Sequence, residues 1–233
     1  MLTPERLSKA IDHAALRPEL TRDEIIAAAG EAAQHHFAAF CVLPCWVELV
    51  AERLRESDTK VCACVAFPFG ANTTPTKSAE ARAAVADGAR EIDVVMNVGL
   101  LKSGDEAACR RDIEAVVEAS ALAGLTEDGE EVMVKVIIET GLLSDAEKRR
   151  AARLVKQAGA DFVKTSTGFL GPGATVADVR LIRSVVGPDL GVKASGGIRS
   201  VEDARKLLEA GADRLGTSSG PALLRMLREQ LEA

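Results

Sequence analysis

The sequence predicts an α/β fold, a (β/α)8 TIM barrel with a short N-terminal helical extension. Short apolar runs alternate with amphipathic helical stretches, eight such units are present, and a Gly-Ala repeat joins helices to strands. Eight units in 233 residues suit a compact barrel, so we expect residues 1–233 to form a single barrel domain. A doubly wound sheet is the alternative, but no GxGxxG turn follows the first strand.

The predicted elements alternate along the chain. Seven strand candidates are short apolar runs, at 37–43, 60–66, 90–96, 132–138, 161–165, 190–194 and 213–216. A short eighth strand is expected at 10–13, before the first long helix. Helices are expected near 21–36, 44–57, 76–87, 104–123, 144–158, 175–186, 200–210 and 219–231. Cap signals mark three of the helix starts, Thr21 with Glu24, Ser144 with Glu147, and Ser200 with Asp203.

The composition favours a small-molecule partner. A net charge of -6 without a clustered Lys/Arg run argues against nucleic acid or an anionic membrane. The N-terminus lacks an apolar core of signal-peptide length, and no segment approaches about 20 uninterrupted apolar residues, so a cytoplasmic location is expected. The five cysteines are an odd number and fit reduced thiols. Cys62 and Cys64 share a strand face and offer two metal ligands, but we expect them to line the strand and to bind no metal.

An irregular repeat relates three of the β/α units. "DGAREID", "AGADFVK" and "AGADRLG" each place Gly-Ala at the end of a helix, and the residues five positions beyond the glycines are Asp93, Lys164 and Gly216. Units built alike place these residues at similar heights, near the C-terminal ends of their strands, where barrels carry active sites. We therefore expect Asp93 and Lys164 to face one pocket, with Lys193 of "LGVKASGG" on the next strand.

Two lysines and an aspartate in a barrel mouth suggest Schiff-base chemistry. A lysine amine is nucleophilic at neutral pH only if burial or a neighbouring cation favours its neutral form. One lysine would then attack a carbonyl, and Asp93 would move protons. The alternative is that the lysines only pair with carboxylates such as Asp93 or Glu139. The spacing favours the reactive arrangement without deciding which lysine reacts.

Two loops suggest a phosphate site. "SGGIRS" places Gly196, Gly197 and Arg199 before a helix, where free amides, the helix dipole and a guanidinium attract an anion. "GTSSGP", at 216–221, follows the next strand and also opens a helix. These loops would follow strands 7 and 8, the usual phosphate site of such barrels. Ordinary helix caps are the alternative.

The motifs also resemble those of the deoxyribose-phosphate aldolase family, whose members are class I, Schiff-base aldolases. The likeness runs from "IDHAALRPELT" to "RLGTSSG" and includes "PFGANTTPTKSAEA", "EIDVVMNVGLLKSG", "VKVIIETGLL", "FVKTSTGF" and "GVKASGGIRS". It implies reversible cleavage of 2-deoxy-D-ribose 5-phosphate to D-glyceraldehyde 3-phosphate and acetaldehyde, without a cofactor or metal. It also implies a small phosphorylated sugar as the partner and a homodimer or higher homo-oligomer.

The resemblance implies a role for each site residue. Lys164 forms the imine, and Lys193 favours the neutral amine form of Lys164. Asp93 relays protons with a bound water. Asp12 and Cys41 fall at active-site positions with lesser roles. The implied phosphate ligands are Gly168, Gly196, Gly197, Arg199, Gly216, Ser218 and Ser219.

Three departures from the family pattern predict altered rate or substrate tolerance. "DHAALRP" replaces the common "DHTLLKP", which places Arg17 where relatives have Lys. Phe169 stands where some members carry a phosphate-side Lys. The chain contains no Tyr, so the C-terminal Tyr that some members use in proton transfer is missing.

Two other functions remain open from the sequence. A transaldolase-like or related sugar-phosphate aldolase would use the same imine chemistry, and release of acetaldehyde would separate the two. A non-catalytic phosphosugar-binding barrel has no use for two crowded lysines.

Overall fold

A computed structural model describes residues 2–127 and 131–232; residues 1, 128–130 and 233 of the predicted domain lie outside these ranges. Eight parallel strands form a closed barrel in chain order, so the predicted fold class is confirmed. The strands are β1 (Ile11–Ala15), β2 (Ala39–Val42), β3 (Lys60–Val65), β4 (Glu91–Val95), β5 (Met133–Ile137), β6 (Phe162–Lys164), β7 (Gly191–Ser195) and β8 (Arg214–Thr217).

Helices connect the strands, and the first helix precedes β1 as the predicted extension. They are α1 (Pro4–Ala10), α2 (Arg22–Gln34), α3 (Val47–Leu54), α4 (Thr74–Ala86), α5 (Val98–Lys102), α6 (Glu106–Glu127), α7 (Asp145–Gln157), α8 (Val176–Val186), α9 (Val201–Glu209) and α10 (Gly220–Glu232). In the described part of the chain, no helix has both the length and the apolar composition needed to cross a membrane.

The predicted helix caps form. Thr21 and Ser144 each accept a hydrogen bond from the backbone N–H of the glutamate three residues later, whose carboxylate returns to the cap. Ser200 accepts from the backbone N–H of Asp203. These bonds satisfy amide groups that a helix start otherwise leaves unpaired.

Two helical regions differ from the prediction. The region 44–57 begins with a 3₁₀ turn at Pro44–Trp46 before α3. The region 104–123 corresponds to α6, which begins where Asp105 accepts a hydrogen bond from the N–H of Ala108. The short helix α5, capped by Asn97, precedes this region and was not predicted. Side-chain caps thus set boundaries that hydrophobic periodicity does not show.

The Gly-Ala repeat has one backbone geometry in all three units. Gly88, Gly159 and Gly211 lie just after α4, α7 and α9 with φ values of 105°, 76° and 110°. An L-residue with a Cβ is strained at such φ values, so glycine suits this turn from helix to strand.

Successive side chains along a strand point alternately into the layer between sheet and helices and into the barrel interior. Along β4, Ile92 and Val94 join the large apolar layer between sheet and helices, whereas Glu91 and Asp93 point into the barrel. The apolar layer buries the alanine, valine, leucine and isoleucine side chains that dominate the composition. The barrel interior is largely polar instead, and it positions the functional site.

Candidate active site

A cavity of about 570 Å³ lies at the C-terminal ends of β1, β6, β7 and β8. Lys164 and Lys193 form part of its wall, together with Asp12 and Cys41. All seven predicted phosphate ligands also line it, namely Gly168, Gly196, Gly197, Arg199, Gly216, Ser218 and Ser219. The structure therefore brings the lysines and the two glycine-containing loops around one space.

Asp93 lies beneath the cavity and joins the two lysines. Its Oδ2 accepts hydrogen bonds from Lys164 Nζ and Lys193 Nζ, both at 2.7 Å. Lys164 and Lys193 are register partners on β6 and β7, so both side chains enter the barrel at one level. The repeat correctly brings Asp93 and Lys164 together, but Asp93 is fully buried below the lysines and is not part of the cavity wall.

The second oxygen of Asp93 contacts a third lysine. Lys135, on β5, lies 3.1 Å from Asp93 Oδ1 and 2.5 Å from Glu91 Oε2. The two carboxylate oxygens of Asp12 also contact different cations. Oδ2 lies 2.5 Å from Lys193 Nζ, and Oδ1 accepts a hydrogen bond from Arg214 at 2.7 Å.

Ion pairs join seven side chains of the barrel interior into one network. The carboxylates are Asp12, Glu91 and Asp93, and the cations are Lys135, Lys164, Lys193 and Arg214. With every group ionised, four cations face three carboxylates, which leaves one positive charge in excess. Loss of one proton from a lysine balances the network.

The two cavity lysines differ in their number of carboxylate partners. Within the described residues, Lys164 pairs with Asp93 alone, whereas Lys193 pairs with both Asp12 and Asp93. Lys135, below them, contacts all three carboxylates. Lys164 therefore loses the least ion pairing when it gives up a proton.

Burial and charge together determine the protonation of the surrounding groups. Burial alone would raise the pKa of Asp93, but the ammonium groups of Lys135, Lys164 and Lys193 hold it well below its usual range. Burial lowers the pKa of a lysine, yet Asp12 and Asp93 outweigh it and raise the pKa of Lys193 well above the ordinary value. At neutral pH Asp93 is a carboxylate, and Lys193 is a fixed cation beside Lys164.

Glu139, the other predicted carboxylate partner, does not meet the lysines. Its Oε2 accepts hydrogen bonds from the backbone N–H of Thr167, at 3.1 Å, and from the Thr167 hydroxyl. Glu139 thus holds the loop that leads from β6 to Gly168.

The loops after β6, β7 and β8 pack closely. A Cβ on Gly173 would lie 1.9 Å from the carbonyl oxygen of Gly196, so this approach requires glycine. Thr217 Oγ1 donates to the carbonyl of Ile198 at 2.8 Å and links the last two loops. The loops after β7 and β8 lead into α9 and α10, whose N-terminal ends carry the positive end of the helix dipole and favour an anion. Arg199 is the exposed cation beside them.

One set of described residues has donor atoms close enough for a metal ion: Cys41, Cys62 and Asp93, within 4.8 Å of one another. The same donors already face ammonium groups, with Lys193 Nζ 3.6 Å from the sulfur of Cys41 and Lys135 Nζ 3.5 Å from that of Cys62. Burial also raises the pKa of Cys62 well above its usual value, so the thiol holds its proton. The donor set suits lysine better than a metal cation.

Sequence reasoning missed the lower part of the network. Glu91, Lys135 and Arg214 were not among the predicted site residues, although each is charged and lies in a predicted strand. Glu91 and Arg214 each stand two residues before a position identified by the repeat and share its strand face. A charged residue within an apolar strand is itself a signal, and it could have identified all three residues.

The barrel and its lysine-bearing cavity define an enzyme of the TIM-barrel class, with its site at the C-terminal face. Residues 6–226 match the family described as DeoC/LacD family aldolase. The chain belongs to this aldolase family, as the motifs predicted.

Individual relatives agree over nearly the whole chain. The deoxyribose-phosphate aldolase 1 of Bacillus licheniformis is 51% identical over 223 residues, covering 96% of each chain. The deoxyribose-phosphate aldolase of Caldanaerobacter subterraneus subsp. tengcongensis is 50% identical over 96% of this chain and 94% of its own. Among solved structures, a deoxyribose phosphate aldolase from Aeropyrum pernix, described as a unique tetramer, has a TM-score of 0.89 at 32% identity, covering 98% of this chain and 93% of its own.

Proposed function

We propose that this protein is a class I aldolase that cleaves 2-deoxy-D-ribose 5-phosphate reversibly to D-glyceraldehyde 3-phosphate and acetaldehyde. The observation that carries this proposal is the single oxygen of Asp93 shared by Lys164 and Lys193 at the base of the cavity. The proposed substrate rests on relatives named deoxyribose-phosphate aldolase, which are 50–51% identical to this chain.

Lys164 is the proposed nucleophile. It has one carboxylate partner among the described residues and lines the cavity, while Lys193 is held as a cation by Asp12 and Asp93. The neutral amine of Lys164 attacks the C1 aldehyde of the open-chain sugar to give a carbinolamine. The carbinolamine hydroxyl takes up a proton and leaves as water, which gives an iminium ion.

The iminium ion then accepts the electrons of the C2–C3 bond. As that bond breaks, the C3 hydroxyl loses its proton and becomes the aldehyde of D-glyceraldehyde 3-phosphate. The remaining enamine takes a proton at C2, and hydrolysis releases acetaldehyde and the amine. Asp93, a carboxylate at neutral pH, is the proposed proton carrier, together with a bound water. Asp12 and Cys41 have supporting places in the cavity wall.

The phosphate is proposed to bind at the loops after β6, β7 and β8. The supporting observation is that Arg199 and the six other predicted ligands line the end of one cavity with the lysines. In this arrangement the sugar extends from the phosphate loops toward Lys164. Residues 1–233 are proposed to act as a single cytoplasmic catalytic domain, and the tetrameric relative supports a homo-oligomer.

Borohydride trapping tests the imine directly. The protein is incubated with acetaldehyde, reduced with borohydride, digested, and searched by mass spectrometry for an ethylated lysine. We expect ethylation at Lys164, and its loss in Lys164→Met. Ethylation at Lys193 instead would reverse the two lysine roles, and no ethylated lysine would remove the Schiff-base mechanism.

Comparing KM for substrates with and without a phosphate group tests the phosphate site, and measuring acetaldehyde release tests the reaction. Arg199→Ala is expected to raise KM for 2-deoxyribose 5-phosphate roughly 10- to 100-fold, because it removes a charged contact. The same variant should leave KM for 2-deoxyribose, which has no phosphate, unchanged. Equal effects on both substrates would argue against a phosphate contact. Failure of the wild-type protein to release acetaldehyde would favour another sugar-phosphate aldolase or a binding protein.

A further inference from the structure

Three charged side chains of the network take no part in the proposed reaction. Glu91, Lys135 and Arg214 do not contribute to the cavity wall among the described residues, and they lie on the far side of Asp12 and Asp93 from it. Glu91 and Lys135 are buried, and the side chain of Arg214 is 17% exposed. Burying such groups in water-free surroundings is unfavourable unless they are paired, so their presence requires an explanation.

Their contacts lead directly to the reacting groups. Glu91 contacts Lys135 at 2.5 Å and Arg214 at 3.4 Å. Lys135 then holds Asp93 Oδ1, which leaves Oδ2 to the two cavity lysines. Arg214 holds Asp12 Oδ1, which leaves Oδ2 for Lys193. The lower groups therefore fix both the orientation of the two aspartates and the total charge around Lys164.

A buried charge acts on Lys164 without touching it. Two unit charges about 10 Å apart, at an effective dielectric constant of about 20, shift a titration by about one pH unit. A nearby negative charge favours the ammonium form of a lysine, and a nearby positive charge favours the amine. Glu91 and Arg214 thus act on Lys164 with opposite signs, although they lie side by side.

We propose that Glu91 and Arg214 are positioning residues that set, in opposite directions, the pH at which Lys164 becomes a free amine. The inference rests on the proposed function for its meaning, since the amine matters only if Lys164 forms the imine. In this arrangement Glu91 offsets one of the four cations, and Arg214 offsets one of the three carboxylates.

Other titratable groups face Lys164 from the elements around it. They are Asp12 on β1, Cys41 on β2, Cys62 and Cys64 on β3, Asp93 on β4, Lys135 on β5 and Lys193 on β7. Glu139 follows β5 but bonds to Thr167. Burial raises the pKa of Cys64 to about 12, so this thiol stays neutral near neutral pH. Each of these groups is left intact by changes at Glu91 and Arg214.

The test measures how the reactivity of Lys164 depends on pH in Glu91→Gln, Arg214→Gln and the double variant. The first readout is ethylation of Lys164 by acetaldehyde and borohydride. The second is acetylation of Lys164 by acetic anhydride, which needs no aldolase activity. Both are read from the Lys164 peptide by mass spectrometry. Glu52→Gln, on the exposed surface of α3, is the matched control for loss of one carboxylate.

Glu91→Gln is expected to lower the pH midpoint of both labelling reactions by about one unit, and Arg214→Gln to raise it by about one unit. The double variant restores the charge balance, so its midpoint should return near that of the wild type. Glu91→Asp and Arg214→Lys keep the charges and should stay near the wild-type midpoint. A purely structural role would not move the midpoint in opposite directions or restore it in the double variant.

Shifts of the same sign, no shift, or a double variant that fails to return would each overturn the proposal. If Arg214→Gln does not fold, Lys135→Met removes a cation from the same network and should also raise the midpoint; thermal unfolding identifies folded variants. If wild-type Lys164 is acetylated with a measurable midpoint but never ethylated, the aldolase proposal fails. The charge effect on Lys164 is then judged from acetylation alone.

Discussion

Lys77 and Lys164 are both buried lysines that contact one aspartate, but their surroundings differ. Lys77, on α4, donates to Asp112 Oδ2 at 2.6 Å and to the carbonyl oxygen of Val95 at 2.9 Å. Thr74 donates to the other oxygen of Asp112 at 2.7 Å. One cation thus meets one carboxylate, and the neighbouring groups complete its hydrogen bonds.

Lys164 shares its aspartate with two other lysines and borders a cavity. The cations there outnumber the carboxylates, so the site gains electrostatically when one lysine becomes neutral. In the pair of Lys77 and Asp112 the charges cancel, so neutralising either side chain leaves a buried charge without a partner of opposite sign. The comparison indicates that the ratio of charges, more than burial alone, distinguishes Lys164, the proposed nucleophile, from a lysine in a balanced ion pair.

The largest expected effect is the loss of activity in Lys164→Met. Removing the proposed nucleophile should lower kcat/KM for 2-deoxyribose 5-phosphate roughly 10⁴-fold or more. Stability should change little or increase, because three cations then face three carboxylates. Steady-state kinetics and urea unfolding measure the two quantities. Substantial remaining activity would show that Lys164 is not the nucleophile.

Lys77→Met should show the opposite behaviour. It leaves the Asp112 carboxylate buried and unpaired, so we expect a loss of about 3–5 kcal/mol in the free energy of unfolding. The folded fraction should still be ethylated at Lys164 by acetaldehyde and borohydride. Lys77→Met with Asp112→Leu removes both charges and should recover most of the stability. If the double variant is no better than the single one, the loss comes from packing.

Lys193→Met separates the neighbouring cation from the nucleophile. Removing this ammonium group should lower kcat about 10²- to 10⁴-fold, within the range for lost proton-transfer assistance. Lys164 should still be ethylated, but only at higher pH, since a positive charge that favours its amine is gone. The pH dependence of ethylation is the measurement. Unchanged pH dependence would contradict the role given to Lys193.

His13 is buried and takes part in none of the described ion pairs. We expect its substitution to change stability and activity least among the variants considered. It lies in the cavity wall with its ring 5.4 and 5.8 Å from those of Phe37 and Phe40, and burial, with a smaller contribution from His35, lowers its pKa from 6.5 to about 4. Between pH 6.5 and pH 4 the unfolded chain binds a proton here and the folded chain does not. Stability from His13 is therefore complete above pH 6.5 and falls with pH, by about 3 kcal/mol across this window.

His13→Phe should remove that part of the acid sensitivity. The difference in unfolding free energy between the wild type and the variant, measured in urea at several pH values from 7 to 4, isolates the effect from other titrating groups. A difference that does not change with pH would mean that the folded protein binds a proton at His13 as readily as the unfolded chain does.

Much of the fold follows from local sequence features. The positive φ values of Gly88, Gly159 and Gly211 and the capping boxes at Thr21 and Ser144 depend on residues within a few positions of one another. Because eight β/α units follow one another along the chain and parallel strands need helical crossovers, the barrel and the proximity of Asp93 and Lys164 could be predicted. The short helix α5, which precedes the predicted helix 104–123, could not be predicted, since its start depends on the side-chain cap at Asn97.

The residues that line the cavity could be predicted from the sequence, but most contacts of the charged residues below the cavity could not. The two loops after β7 and β8 carry glycine signals, and the aldolase motifs include the lysines. That Asp93 lies below the cavity and also holds Lys135 depends on how strands β4 and β5 align across the barrel. Such contacts join residues far apart in the chain, with no local signal to mark them.

The sequence by itself determined the barrel, the family, and the lysines and glycine-containing loops around the cavity. Only the tertiary structure decided how those charges are shared, with one carboxylate partner for Lys164, two for Lys193 and three for Lys135 in the described ion pairs. The physical reason is that electrostatic energy depends on distances between side chains from six strands, and closure of the barrel sets these distances. Local sequence determines which charges are present, and their three-dimensional arrangement determines which lysine is free to react.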